Sequence, residues 1–76
     1  MTKYEVITSD IRKKIQNGTF SANTRLPTEP ELGEQYNVSR ITVKKAIDKL
    51  VAEGFVIKRR GAGTFVKGLA EEAGGL

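Results

Sequence analysis

The sequence predicts an α+β fold of three helices followed by a small antiparallel β-hairpin. Three observations carry this. Thr2, Thr28 and Ser39 each stand where a helix can begin, two of them with a glutamate three residues on. Apolar residues then recur at helical spacing. After Gly54 the apolar pattern changes to short runs of β-forming residues around a glycine-containing turn.

The first helix starts at Thr2. Thr2 and Glu5 have capping-box spacing, in which each side chain bonds the other's free backbone N–H. Tyr4, Ile7, Ile11 and Ile15 form one apolar stripe. Asn17-Gly18 closes the helix, because glycine accepts the left-handed conformation found there. Its other face carries Asp10, Arg12, Lys13 and Lys14; the helix reads most simply as a packing element, with Arg12 to Lys14 available to touch a phosphate. A loop follows over residues 19–27. It has a short extended piece at 24–26, since the residue before Pro27 is pushed away from helix.

Thr28 and Glu31 repeat the capping-box spacing. Pro30 falls in the first turn, where its missing N–H costs nothing. Leu32 and Tyr36 face inward, and the helix ends near Tyr36-Asn37. Asn37-Val38 makes a tight turn, and Ser39 caps the third helix. Val43, Ala46, Ile47 and Leu50 are its buried stripe, and Glu53-Gly54 ends it. Two helices joined by so short a turn make a helix-turn-helix. The runs Phe55-Val56-Ile57 and Thr64-Phe65-Val66 flank Lys58-Arg59-Arg60-Gly61-Ala62-Gly63 and read as a hairpin. Together these elements describe a winged helix-turn-helix over residues 1–67. Residues 68–76 have no apolar period and read as a linker or tail.

A chain of 76 residues is one domain at most. It contains no Cys and no His. That excludes disulfides and thiolate metal sites, and it removes the usual general base, so neither an enzyme nor a cofactor or metal centre is expected. No apolar run approaches the roughly 18 residues of a membrane span, and no signal-peptide stretch opens the chain. A cytoplasmic, membrane-free protein is expected.

The net charge is +4, but its distribution is uneven. Residues 1–37 balance five basic against five acidic side chains. Residues 38–67 hold Arg40, Lys44, Lys45, Lys49, Lys58, Arg59, Arg60 and Lys67 against Asp48 and Glu53, a net +6. The final segment carries −2 from Glu71 and Glu72. A concentrated basic half suits a polyanion partner.

In a helix-turn-helix the second helix enters the DNA major groove with its first turns against the base edges. At 100° per residue, Ile41, Lys44, Lys45 and Asp48 point away from the buried stripe, with Arg40 and Thr42 on its flanks. Arg40 can read guanine O6 and N7 or clamp a phosphate. Lys44 and Lys45 can do either more loosely, and Thr42 can bond a phosphate or a base. Ile41 is either a harmless exposed apolar residue or packs on a thymine methyl. The N–H groups at the starts of the second and third helices, capped by Thr28 and Ser39, suit phosphate. The hairpin tip, Arg59-Arg60-Gly61, can reach a neighbouring groove or backbone, with Gly61 and Gly63 permitting the turn and a close approach.

Arg25-Leu26-Pro27-Thr28-Glu29, Glu31-Leu32, Val38 to Ala46, Glu53-Gly54-Phe55-Val56 and Gly61-Ala62-Gly63-Thr64-Phe65-Val66 occur in this order. In these motifs the chain resembles the DNA-binding domain of the GntR (gluconate-repressor) family. The resemblance implies a winged helix and a homodimeric regulator on palindromic double-stranded operators. It also implies an effector-binding, dimerising domain C-terminal to this one. By the same resemblance Ser39, Arg40, Thr42, Lys44, Arg60, Gly61 to Gly63, Arg25 and Glu29 are DNA contacts. The ending Gly-Ala-Gly-Thr-Phe-Val resembles the HutC-like branch. Lys44 departs from the family's frequent arginine, which loses bidentate geometry. Pro30 stands where many members have a basic or polar residue. A winged helix can also serve as a protein–protein module, since fold alone does not fix function. The isolated domain is expected to be a monomer, because all three apolar stripes are consumed by one core.

Overall fold

The computed structural model describes residues 2–67. The linker expected at 68–76 lies outside the described residues. Three helices, α1 (Lys3–Gln16), α2 (Glu29–Tyr36) and α3 (Arg40–Ala52), precede a hairpin of β1 (Val56–Arg59) and β2 (Gly63–Val66).

Each helix starts at the residue its sequence marks. Thr2 and Thr28 both form complete capping boxes, with Glu5 and Glu31 reaching back to the cap N–H groups. Ser39 caps α3 by accepting from the Thr42 N–H. The helix ends use left-handed backbone where it is needed: Asn37 closes α2 at φ +55, and Gly54 follows α3 at φ +83. Asparagine is among the few side-chain-bearing residues that tolerate this region. The turn between α2 and α3 is therefore only Asn37-Val38-Ser39.

The core gathers one face of every element. α1 gives Ile7 and Ile11, α2 gives Leu32, and α3 gives Val43, Ala46, Ile47 and Leu50. Leu26 from the loop, Val56 and Val66 complete it, while Tyr4, Ile15, Phe20, Tyr36, Val38 and Phe55 pack around its rim. α3 is central, touching α1, α2 and β1. Thr8 is buried with this group although it lies outside the apolar stripe. Its hydroxyl donates to the Tyr4 carbonyl at 2.7 Å, which satisfies the one polar group it brings inside.

The hairpin is antiparallel, pairing Val56 with Val66, Ile57 with Phe65, Lys58 with Thr64 and Arg59 with Gly63. Its strands are longer than the sequence suggests. Lys58 and Arg59 belong to β1 rather than to the turn, leaving Arg60-Gly61-Ala62 as the loop. A strand end exposed to water accepts long cations, so charge alone did not mark the turn. Gly61 at φ +79 provides the left-handed residue of the loop, closed by the Ala62 N–H donating to the Arg59 carbonyl at 2.9 Å.

The extended piece before Pro27 acts as a third, partial strand. The Leu26 N–H donates to the Thr64 carbonyl at 2.8 Å, and the Val66 N–H donates to the Thr24 carbonyl at 2.9 Å. Arg25 thereby bridges Phe65 across from β1. This pairing anchors the wing to the chain just before α2.

Candidate nucleic-acid interface

α3 presents one polar face because its other face is fully used by the core. Arg40, Lys44 and Lys45 are exposed, and Ile41 is 80% exposed. Thr42 is half-buried beside Ser39, their hydroxyl oxygens 3.0 Å apart. Arg40, Lys44 and Arg60 have no carboxylate partner among the described residues. The three are cations whose charge no carboxylate offsets among the described residues.

The two helix N-termini differ. α3 has no acidic residue in its first turn, and Ser39 satisfies only the Thr42 N–H, at 3.3 Å. Its other first-turn N–H groups lack intrahelical acceptors and keep their partial positive charge for an anion. α2 carries Glu29 and Glu31 in its first turn. The Thr28 N–H donates to Glu31 Oε1 at 2.8 Å, and the Glu31 N–H donates to Thr28 Oγ1 at 3.2 Å. The Thr28 backbone bond, then its hydroxyl, hold the Glu31 carboxyl below its ordinary value. The positive end of α2 is thus largely answered by its own carboxylates, and a phosphate there meets two anions. The sequence treated both termini alike; the capping boxes distinguish them.

The wing and the start of α2 face each other across an open groove. Arg25, Thr28 and Glu29 line one side, and residues 58–64 the other. Arg59 lies over the Phe65 ring, 5.7 Å from its centroid. Gly63 has φ +123, and a Cβ there would stand 3.3 Å from Arg25 Cδ. The glycine therefore lets the Arg25 stem lie flat on the base of the wing. Lys58 spans the same region: its Nζ is 3.3 Å from Asp48 Oδ1 on α3 and 3.7 Å from Glu29 Oε2 on α2. This ion set ties the wing to both helices of the helix-turn-helix. It also explains Glu29, whose carboxylate faces a lysine of its own chain.

Ile41, Thr42 and Lys45 line a second, smaller groove with Thr2, Lys3 and Tyr4 of the α1 end. Sequence reading did not bring this end of α1 to the surface of α3. Only the packing of α1 on α3 does so, and periodicity within one helix carries no signal for it.

The cations of α1 are mostly committed elsewhere. Arg12 Nη2 pairs with Glu53 Oε1 at 2.7 Å, and its guanidinium lies 5.7 Å from the Phe55 centroid. Lys14 pairs with Asp10 at 3.3 Å. Asp10 also accepts from the Tyr36 hydroxyl, which holds its carboxyl low; burial, and then this bond, push the Tyr36 phenol up. Arg12 thus ties α1 to the end of α3, and Lys14 is paired within α1; Lys13 alone of the three is exposed. No described helix is long and apolar enough to cross a membrane.

Residues 3–66 match the family described as bacterial regulatory proteins, gntR family. The chain is 42% identical over 66 residues to the HTH-type transcriptional regulator GmuR of Bacillus subtilis, a match covering 87% of this chain and 28% of that protein. It is 47% identical over 64 residues to the probable fructoselysine utilization operon transcriptional repressor of Escherichia coli, covering 84% of this chain and 26% of that one. The chain thus spans about a quarter of these relatives' length. Among solved structures, AraR(DBD) in complex with operator ORR3 superposes with a TM-score of 0.84 at 39% identity, over 87% of this chain and 80% of that one.

Proposed function

Because the chain belongs to the GntR family of bacterial regulatory proteins, we propose that it binds double-stranded operator DNA and thereby controls transcription. The observation that carries this is the surface of α3. Its first two turns hold Arg40 and Lys44, which have no carboxylate partner among the described residues, and its first turn has no acidic residue. That face has the charge and dimensions to enter a major groove. The operator complex of the AraR DNA-binding domain, similar in fold and in sequence, supports the reading.

The geometry supports a division of labour among these residues. Arg40 reads a base or clamps a phosphate at the groove entrance. Lys44 and Lys45 neutralise phosphates or touch base edges, and Thr42 and Ser39 donate hydroxyls to the backbone. Ile41, with most of its surface in water, packs on a thymine methyl. Arg60 reaches the flanking backbone from the wing, with Arg59 and the Gly61 and Gly63 backbone beside it. Arg25 supports the wing through Gly63 and lies in the same groove.

The regulator as a whole is proposed to be a homodimer on a palindromic operator, acting in the cytoplasm. Residues 1–67 are its DNA-binding part, and 68–76 lead towards a domain that senses a small molecule. Two half-sites one helical turn apart lie roughly 34 Å apart. Tethering then raises apparent affinity by about 10²–10⁴ without a new contact. A selection from a random duplex pool tests the proposal. The expected result is one enriched half-site motif, with Arg40→Ala relaxing preference at one position and costing roughly 1–3 kcal/mol. A pool that stays random after selection contradicts sequence-specific binding.

A further inference from the structure

Lys45 Nζ lies 4.6 Å from the centroid of the Tyr4 ring. It is the shortest of the cation–ring contacts in the described residues. The two residues come from different helices. Tyr4 is in the first turn of α1, half-buried and packed against the core, so its ring is fixed by the packing of α1 on α3. Lys45 is exposed on α3, and Ile41 and Thr42 share its groove with Tyr4.

The chemistry of this contact differs from that of the other paired lysines. Lys58 and Lys14 are held by carboxylates, which cancel their charge towards an incoming anion. An aromatic face attracts an ammonium through its quadrupole and adds no negative charge. Lys45 is therefore held in place with its positive charge intact. The ring occupies one side of the ammonium, and N–H donors remain for a phosphate oxygen. A lysine that is already ordered loses less rotamer freedom on binding than a free one.

We infer that Tyr4 is a positioning residue of the DNA interface, whose ring pre-orders the Lys45 ammonium on the flank of α3 for a backbone phosphate. The inference rests on the DNA-binding reading above. The ring is the working part and the hydroxyl is dispensable.

The test uses the full chain and a short fluorescein-labelled random-sequence duplex, titrated by anisotropy at several salt concentrations. Tyr4→Phe is expected to bind as the parent does. Tyr4→Leu, which keeps an apolar group against the core, is expected to bind about two- to fivefold more weakly. Its salt slope is expected to stay unchanged, because the Lys45 charge remains. Lys45→Met is expected to weaken binding and to flatten the slope by about 0.9. In the Lys45→Met background, Tyr4→Leu is expected to cost nothing further. Upfield ring-current shifts of the Lys45 ε-methylene protons are expected in the free parent and Tyr4→Phe, and absent in Tyr4→Leu.

Parent-like binding by Tyr4→Leu would overturn the inference while leaving the DNA reading intact. So would an equal loss from Tyr4→Leu with and without Lys45, which marks a merely structural role. No binding of any duplex by the parent would overturn the DNA reading, and this inference with it.

Discussion

Gly63 is the position where the backbone leaves least choice, and Gly63→Ala is the perturbation that shows it. Gly63 has φ +123, where side-chain-bearing residues are strained, and an added Cβ would meet Arg25 Cδ at 3.3 Å. Strain of this kind costs roughly 1–3 kcal/mol. Alanine recovers about 0.4–1 kcal/mol by restricting the unfolded chain. The Arg25 stem is flexible and can shift at small further cost. The net loss is about 1–2 kcal/mol, and about 4–8 °C of Tm accompanies each kcal/mol in a domain this small. Thermal melts followed by circular dichroism are therefore expected to fall by about 5–15 °C. Gly61→Asn is the control. Gly61 has φ +79 with nothing within 4 Å of a Cβ, and asparagine accepts that region, so its melt is expected to change little. A Gly63→Ala melt within about 2 °C of the parent would refute the strain argument. An equal fall for both variants would refute the special role given to the contact with Arg25.

Two more expectations follow from the charges. Lys58 neutralises part of Asp48 and Glu29, so Lys58→Met unmasks two carboxylates towards DNA and is expected to weaken specific and random duplex binding alike. Adding Asp48→Asn is expected to restore much of that loss in anisotropy titrations; no recovery would mean that Lys58 contacts phosphate directly. On pH, the Thr2 and Thr28 backbone bonds hold the Glu5 and Glu31 carboxyls low, and the Tyr36 hydroxyl does the same for Asp10. Folded values below the unfolded ones mean stability that is complete above the ordinary values of 3.8 to 4.5 and is lost as pH falls through and below them. With no His in the chain, melts are expected to be flat from about pH 5.5 to 7.5 and to fall below about pH 4.5. A Tm unchanged at pH 3 would contradict the assigned hydrogen bonds.

Much of the fold is legible because its signals are local. Thr2, Thr28 and Ser39 act within one turn, and a cap needs no knowledge of the rest of the chain. Val43, Ala46, Ile47 and Leu50 state the inward face of α3 by spacing alone, so the outward face of the candidate site follows. What the sequence hides is pairing between elements. Arg12 reads as a free cation until Glu53 is brought beside it by the packing of α1 on α3. Lys58 reads as part of a basic tip, yet strand pairing puts it in β1 between Asp48 and Glu29. Spacing does not reveal that Glu29 also faces Lys58 of β1. Tyr4 reads as core, and its second face, towards Lys45, exists only once two helices are packed.

The central claim is that the basic surface of α3 and the wing binds double-stranded DNA through its phosphates. A salt titration of duplex binding tests it most directly. With roughly four to five phosphates neutralised per domain, log K is expected to fall against log salt with a slope near −4. A slope near zero, with binding unchanged as salt rises, would contradict the claim.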